Sequence, residues 1–127
     1  MVLRLLLAAA LGAIIGYQRE RAGKPAGLRT HILICIGAAL FTVGSLYGFG
    51  VGADPSRIAA GIVAGIGFIG AGAIIRREGG IVEGLTTAAT IWAVAAIGLA
   101  AGAGLYLVSA VTTAVISIVL FLPHPIR

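Results

Sequence analysis

The sequence predicts an all-α membrane protein of about five transmembrane helices, with helices 1–2 and 3–4 arranged as a parallel repeat. Three observations lead there. First, of 127 residues 60% are hydrophobic and only 10% charged, with a mean hydropathy of +1.13, whereas soluble domains run near 25% charged. Second, several apolar runs have the length that crosses about 30 Å of hydrocarbon at 1.5 Å per residue. Third, the basic residues cluster in the short connections between those runs, where they set topology. The net charge of +5 is therefore an orientation signal, and no nucleic-acid partner is implied. A single transmembrane domain over residues 1–127, with the lipid bilayer as its partner and no soluble C-terminal domain, is the expected organisation.

Helix 1 is expected over about 2–18. Arg4 followed by an apolar core resembles a secretory signal, but no small-x-small cleavage site follows, so the segment reads as a retained helix. Within it, Gly12-x-x-x-Gly16 has the small-residue spacing that suits helix contact. The connection from Arg19 to Arg29 carries four basic residues and Glu20, and Gly23, Pro25 and Gly27 break the helix. Helix 2 follows over about 30–50, with Cys35 as a small apolar filler. A turn then leads to Asp54-Pro55, a good cap and first-position pair for helix 3.

Helix 3, about 57–75, contains Gly61, Gly65, Gly67, Gly70 and Gly72. In water this much glycine costs a helix roughly 1 kcal/mol per residue relative to alanine, but in lipid it lets backbones approach. The run is therefore expected to be the hub of the bundle, packed against helix 1 or helix 4. Gly65-x-Gly67-x-x-Gly70 also matches the dinucleotide fingerprint formally, yet neither flank supplies the strand and acidic residue that fold requires. A second basic connection, Arg76 to Gly84, precedes helix 4 over about 85–102, where Trp92 is expected to pack on helix 3. Ala101-Gly-Ala-Gly104 is the turn into helix 5, about 105–122. That helix lacks glycine and suits a lipid-facing position.

With five spans, the first and third connections and the tail hold seven of the nine Lys and Arg. The positive-inside rule then places the N-terminus outside and the C-terminus in the cytoplasm. The two cytoplasmic hairpins also correspond. Gly12-Ala-Ile-Ile15 matches Gly72-Ala-Ile-Ile75, Arg19-Glu20 matches Arg77-Glu78, and Gly27-Leu28 matches Gly84-Leu85. Both hairpins run the same way, the parallel kind of repeat.

That repeat sets polar residues at one depth. Glu20, Arg29, Thr30, Glu78, Glu83, Thr86 and Thr87 should gather at the cytoplasmic mouth, around the N-termini of helices 2 and 4, whose free N–H groups suit an anion or carboxylate. Two readings stay open here: a structural clamp of Glu20 on Arg29, or a cation or partner site using Glu20, Glu83 or Asp54. Asp54 and Arg57, in the outer loop, read as a helix cap and a headgroup contact. His31 reads as a satisfied interfacial histidine, with no second ligand spaced to make a metal site. No nucleophile–base pair or cofactor motif is present, so neither enzyme chemistry, cofactor nor metal is expected.

Glu20, Gly27-Leu28-Arg29-Thr30, Arg57-Ile-Ala-Ala-Gly61, Gly65-Ile-Gly67-Phe-Ile-Gly70-Ala-Gly72 and Gly84-Leu-Thr-Thr-Ala-Ala-Thr-Ile-Trp92 together resemble the transmembrane domain of the MgtC/SapB family. The resemblance implies a bacterial inner-membrane protein associated with growth in low magnesium and, in pathogens, with survival inside host cells. It also implies a regulatory role, some members restraining the F-type ATP synthase. Many members carry a cytoplasmic C-terminal domain, whereas this sequence stops at Arg127. Helix 4 begins Leu85-Thr86-Thr87, where some virulence-associated members have an asparagine in place of the first threonine. The expected function is thus a non-enzymatic regulator of magnesium homeostasis or membrane energetics, working through helix contacts as a homo-oligomer, taken as a dimer. The alternative is a small oligomeric transporter or channel for a cation or small solute.

Overall fold

A computed structural model describes residues 1–76 and 82–122 of the chain; the Arg77-Glu78 half of the proposed repeat and the Pro123-His124-Pro125 stop lie outside them. The described residues form five successive helices: α1 (Val2–Arg21), α2 (Leu28–Tyr47), α3 (Ser56–Ala73), α4 (Leu85–Gly102) and α5 (Tyr106–Leu120). A two-residue antiparallel pair, β1 (Ile75–Arg76) with β2 (Val82–Glu83), closes the connection between α3 and α4. Helices α1 to α4 are each long and apolar enough to cross a membrane. At 15 residues α5 extends only about 22 Å, shorter than the hydrocarbon core.

The ends of the helices follow local chemistry. Helix α2 starts at Leu28, two residues before the expected Thr30, because Glu20 Oε1 accepts a hydrogen bond from the Leu28 N–H at 3.2 Å and so satisfies one of the orphan donors of the first turn. Gly84, just before α4, has φ +89°, and a Cβ there would overlap the Ala73 carbonyl; only glycine fits. Thus Gly27 and Gly84, matched by the repeat, occupy the same place, immediately before the second helix of each hairpin. Helix α3 stops at Ala73 because Ile74 turns extended, φ −88° and ψ 126°, to enter the β pair.

The centre of the bundle differs from the expectation. Helices α2 and α4 lie side by side, α1 packs on both, α3 packs on both from the other side, and α5 covers α1 and α4. The core consists of Ala8, Leu11, Ile15, Cys35, Ala39, Val94, Ile97 and Ala101, contributed by α1, α2 and α4. The glycines that allow close approach are Gly12 and Gly16 of α1 and Gly98 and Gly102 of α4. A Cβ on Gly12 would lie 2.8 Å from Cys35 Cβ, one on Gly16 2.8 Å from Leu28 Cα, and one on Gly102 2.5 Å from the Ala39 carbonyl. All four face α2, so α2 is the helix that receives the glycines.

Helix α3 is instead the most exposed of the four long helices. Around Gly61, Gly65, Gly67 and Gly72 there is open space, and only Gly70 meets a neighbour, Ala88 of α4. The hub assigned to the glycine run is therefore corrected. The reason is volumetric: α1 and α4 spend their own glycines on α2, and α3 is left to pack through the branched residues Ile62 and Ile66. Trp92 is likewise corrected. It is 58% exposed and shares an exposed stripe with Leu85, Ala89 and Ala96, which turns it out of the bundle at the helical period.

Candidate functional site

Polar side chains in an apolar bundle are costly unless they find partners, so the buried ones locate the site. Four come together where the end of α1 meets the starts of α2 and α4. On α1 the buried face runs Ala8, Leu11, Gly12, Ile15, Gly16, Arg19, a helical stripe that carries Arg19 inward. Arg19 as a whole is 5% exposed. It donates through Nη2 to the Thr87 hydroxyl and, at 3.4 Å, to the Pro25 carbonyl, while its Nε is buried with no partner among the described residues.

His31, fully buried, lies on the packing face of α2 with Cys35, Ala38, Ala39, Thr42 and Ser45. Its Nδ1 is 2.9 Å from the Gly27 carbonyl, which can only accept, so Nδ1 carries a proton. Its Nε2 is 3.1 Å from Thr90 Oγ1, and that hydroxyl is also 2.9 Å from the Thr87 carbonyl. One hydroxyl proton serves one acceptor. If it goes to Nε2 the ring is neutral; if it goes to Thr87, the ring must donate at both nitrogens. Thr90 therefore links the His31 ring to helix α4, and the Thr87 hydroxyl links α4 to Arg19.

Of the residues expected to gather at the cytoplasmic mouth, the structure brings only Thr87 into this cluster. Glu20 is exposed and caps α2; the Glu20–Arg29 clamp does not form among the described residues, because the Leu28 N–H takes the carboxylate and Arg29 points to the exposed side. Thr30 is half-buried and Thr86 exposed at the same end. Glu83 falls in β2, and its side chain lies outside the described set. Thr90, which the sequence offers with Thr86 and Thr87 as a hydrogen-bonding partner for backbone or a neighbouring helix, meets both the Thr87 carbonyl and His31 of α2; Arg19 is not among the expected site residues, and His31 is expected there only as a satisfied interfacial histidine. The signal for Arg19 was present, since it lies three and seven residues beyond Gly16 and Gly12 on one helical face.

At the other end of the bundle, Arg4 ties three helices together. Its Nη1 donates to the Gly102 carbonyl at 3.0 Å, a cation at the end of α4 where the helix dipole favours it. Its Nε donates to the Tyr106 hydroxyl at 3.3 Å, and the guanidinium stacks over the Tyr47 ring, 5.1 Å to the centroid. Asp54 accepts from the Ser56 N–H at 3.0 Å and from the Ser56 hydroxyl at 2.7 Å. These two bonds hold its carboxyl below the usual aspartate range; the helix itself begins at Ser56 with Pro55 in the cap position, so Asp54 braces the first turn from one residue further out than expected. The Arg57 guanidinium has no hydrogen-bond or ion-pair partner among the described residues.

Fold and site together define a multi-pass helical membrane protein whose buried polar cluster is built on a cation. The chain belongs to the MgtC family, whose model matches residues 5–127. Among curated relatives it is 55% identical over 112 residues to the Escherichia coli (strain K12) protein named "Putative magnesium transporter YhiD", covering 83% of this chain and 52% of that protein. It is 49% identical over 116 residues to Protein MgtC of Brucella abortus (strain 2308), covering 91% and 48%, and 41% identical over 113 residues to Protein SapB of Bacillus subtilis (strain 168), covering 84% and 49%. The chain thus spans about half the length of these relatives. No solved structure matches it significantly.

Proposed function

We propose that the protein is a non-enzymatic regulator in the bacterial cytoplasmic membrane, linked to adaptation to low magnesium and to membrane energetics, with its N-terminus outside and its C-terminus in the cytoplasm. The observation that carries the reading is the sign of the buried charge. Mg²⁺ takes oxygen ligands in octahedral array, usually one or two carboxylates together with waters it retains. Here the deepest charged group at the mouth of α1, α2 and α4 is the Arg19 guanidinium, beside His31, and beyond it the helices touch backbone to backbone at Gly12, Gly16, Gly98 and Gly102. A divalent cation entering between these helices meets a fixed positive charge and then a closed core.

A regulator instead acts through its outer faces, and the exposed small-residue stripe of Ala60, Ala64, Gly67 and Ala71 on α3 offers room for contact with a membrane partner such as the F-type ATP synthase. The names of the relatives support the link to magnesium. The name of the Escherichia coli relative also favours a second reading, transport by an oligomer whose path runs between chains.

Mg²⁺ flux into liposomes separates the two. The purified protein should give no saturable uptake above protein-free vesicles, and Glu20→Gln should leave that baseline unchanged. Robust, saturable uptake abolished by Glu20→Gln would sink the regulator reading. Reporter fusions that work only on the far side of the membrane when joined at the N-terminus, and only in the cytoplasm when joined after residue 122, check the orientation.

A further inference from the structure

Helix α5 fills the angle between α1 and α4, whereas the corresponding angle between α3 and α2 is open in this chain. It forms a groove of about 620 Å³. Gly37, Gly61 and Gly65, which have nothing within 4 Å of their missing side chains, leave its floor deep, and Phe41 and Ile69 stand beside it. Its lining carries a single charged residue, Arg57, in the first turn of α3. One end is thus cationic at the membrane boundary and the remainder is apolar.

We propose that this groove retains one acyl chain of an anionic phospholipid, with the lipid phosphate paired to Arg57. The polarity of the groove is that of an amphiphile lying parallel to the helices. Arg57 has no partner among the described residues, and a guanidinium fork matches phosphate oxygens in bidentate geometry. Asp54, which shares the adjoining hollow with Arg57, accepts both Ser56 bonds at Oδ1 and forms no ion pair with the guanidinium among the described residues. The same charge disfavours a second copy in this seat. Two chains related by a two-fold axis along the membrane normal and packed through α3 would bring their Arg57 side chains together at one depth, and like charges placed face to face across an interface oppose association. An anionic headgroup removes that conflict. The inference stands apart from the choice between regulator and transporter.

Quenching by brominated lipid tests it. Trp92 is the only tryptophan, so Phe41→Trp in a Trp92→Phe background reports on the groove alone. The protein is reconstituted in phosphatidylcholine with rising fractions of dibrominated phosphatidylglycerol or dibrominated phosphatidylcholine. Half-quenching should need about a fivefold smaller fraction of the brominated phosphatidylglycerol, the preference one cation at the membrane surface supplies. Arg57→Gln should remove the preference, and Gly65→Leu, which fills the groove, should abolish quenching at low fractions of either lipid. Arg57 and Gly65 make no contacts that the fold needs, and elution as the parental species confirms that each variant is folded. Equal quenching by the two lipids in the parent, or an unchanged preference in Arg57→Gln, overturns the proposal. So does efficient disulfide cross-linking between chains at Gly65→Cys in phosphatidylglycerol bilayers, which would seat a second copy there.

Discussion

Adding one methyl group at Gly98 and one at Gly67 should have opposite consequences, although both positions look alike in the sequence. At Gly98 a Cβ would overlap the Cys35 carbonyl and lie 3.0 Å from Ala38 Cβ. The carbonyl is backbone in the middle of α2 and cannot swing aside, so α2 and α4 must part by roughly 1 Å to restore contact. A gap of that size forfeits a quarter to a half of each contact worth about 0.1–0.2 kcal/mol. Over about 40 atom pairs along the crossing, this comes to roughly 2–3 kcal/mol. The better helix propensity of alanine returns about 1 kcal/mol, which leaves Gly98→Ala destabilised by about 1–2 kcal/mol.

At Gly67 nothing lies within 4 Å, so only the propensity gain of up to about 1 kcal/mol applies. The assay is equilibrium unfolding of the detergent-solubilised protein by SDS titration, followed by helical circular dichroism. The midpoints should separate by the equivalent of about 2–3 kcal/mol, the sum of these two estimates. Gly67→Leu should still fold, and Gly98→Leu should not. Equal losses at the two positions, or a larger one at Gly67, would refute the placement of α2 as the helix that receives the glycines.

The polar groups give further expectations. Arg19→Met should keep the fold and leave stability equal or higher, because replacing a buried charge by an apolar side chain of similar length is often neutral or favourable; Thr87→Val, which deprives the guanidinium of a partner while the charge stays, should cost about 1–3 kcal/mol, both read by the same titration. His31→Ala should cost about 2–4 kcal/mol through the cavity and the lost bonds to Gly27 and Thr90. Glu20→Gln keeps an acceptor for the Leu28 N–H and should change little, whereas Glu20→Ala should lose about 1 kcal/mol of cap energy, seen as faster amide exchange at the start of α2.

Asp54 gives the pH test. Its carboxyl is held below the ordinary value of about 3.9 by the Ser56 bonds. The contribution of these bonds is therefore complete above that value and fades as pH falls through the lower folded value. Thermal scans from pH 5 downward should show a decline in the parent that Asp54→Asn lacks.

The sequence by itself determined the class and the segmentation. Its composition rules out a soluble core, its apolar runs are set by the width of hydrocarbon, and its glycines, prolines and basic residues mark the breaks, so all five helices fall within three residues of the expected bounds. Gly27 and Gly84 could be matched as turn glycines because each stands in a short local pattern. What only the tertiary structure decided was which face of each helix meets which neighbour. A glycine reads the same whether a backbone lies against it, as at Gly12, Gly16, Gly98 and Gly102, or open space does, as at Gly61 and Gly65. The buried cluster was hidden for the same reason. Arg19 stands among the basic residues of a connection and His31 has no ligand at metal spacing, and they become one site with Thr87 and Thr90 only because α2 and α4 pack side by side, 59 residues separating the ring from its hydroxyl partner. Local chemistry fixes where a helix begins and ends, but partnership across the bundle depends on crossing geometry, which is set by the volumes of all the helices at once.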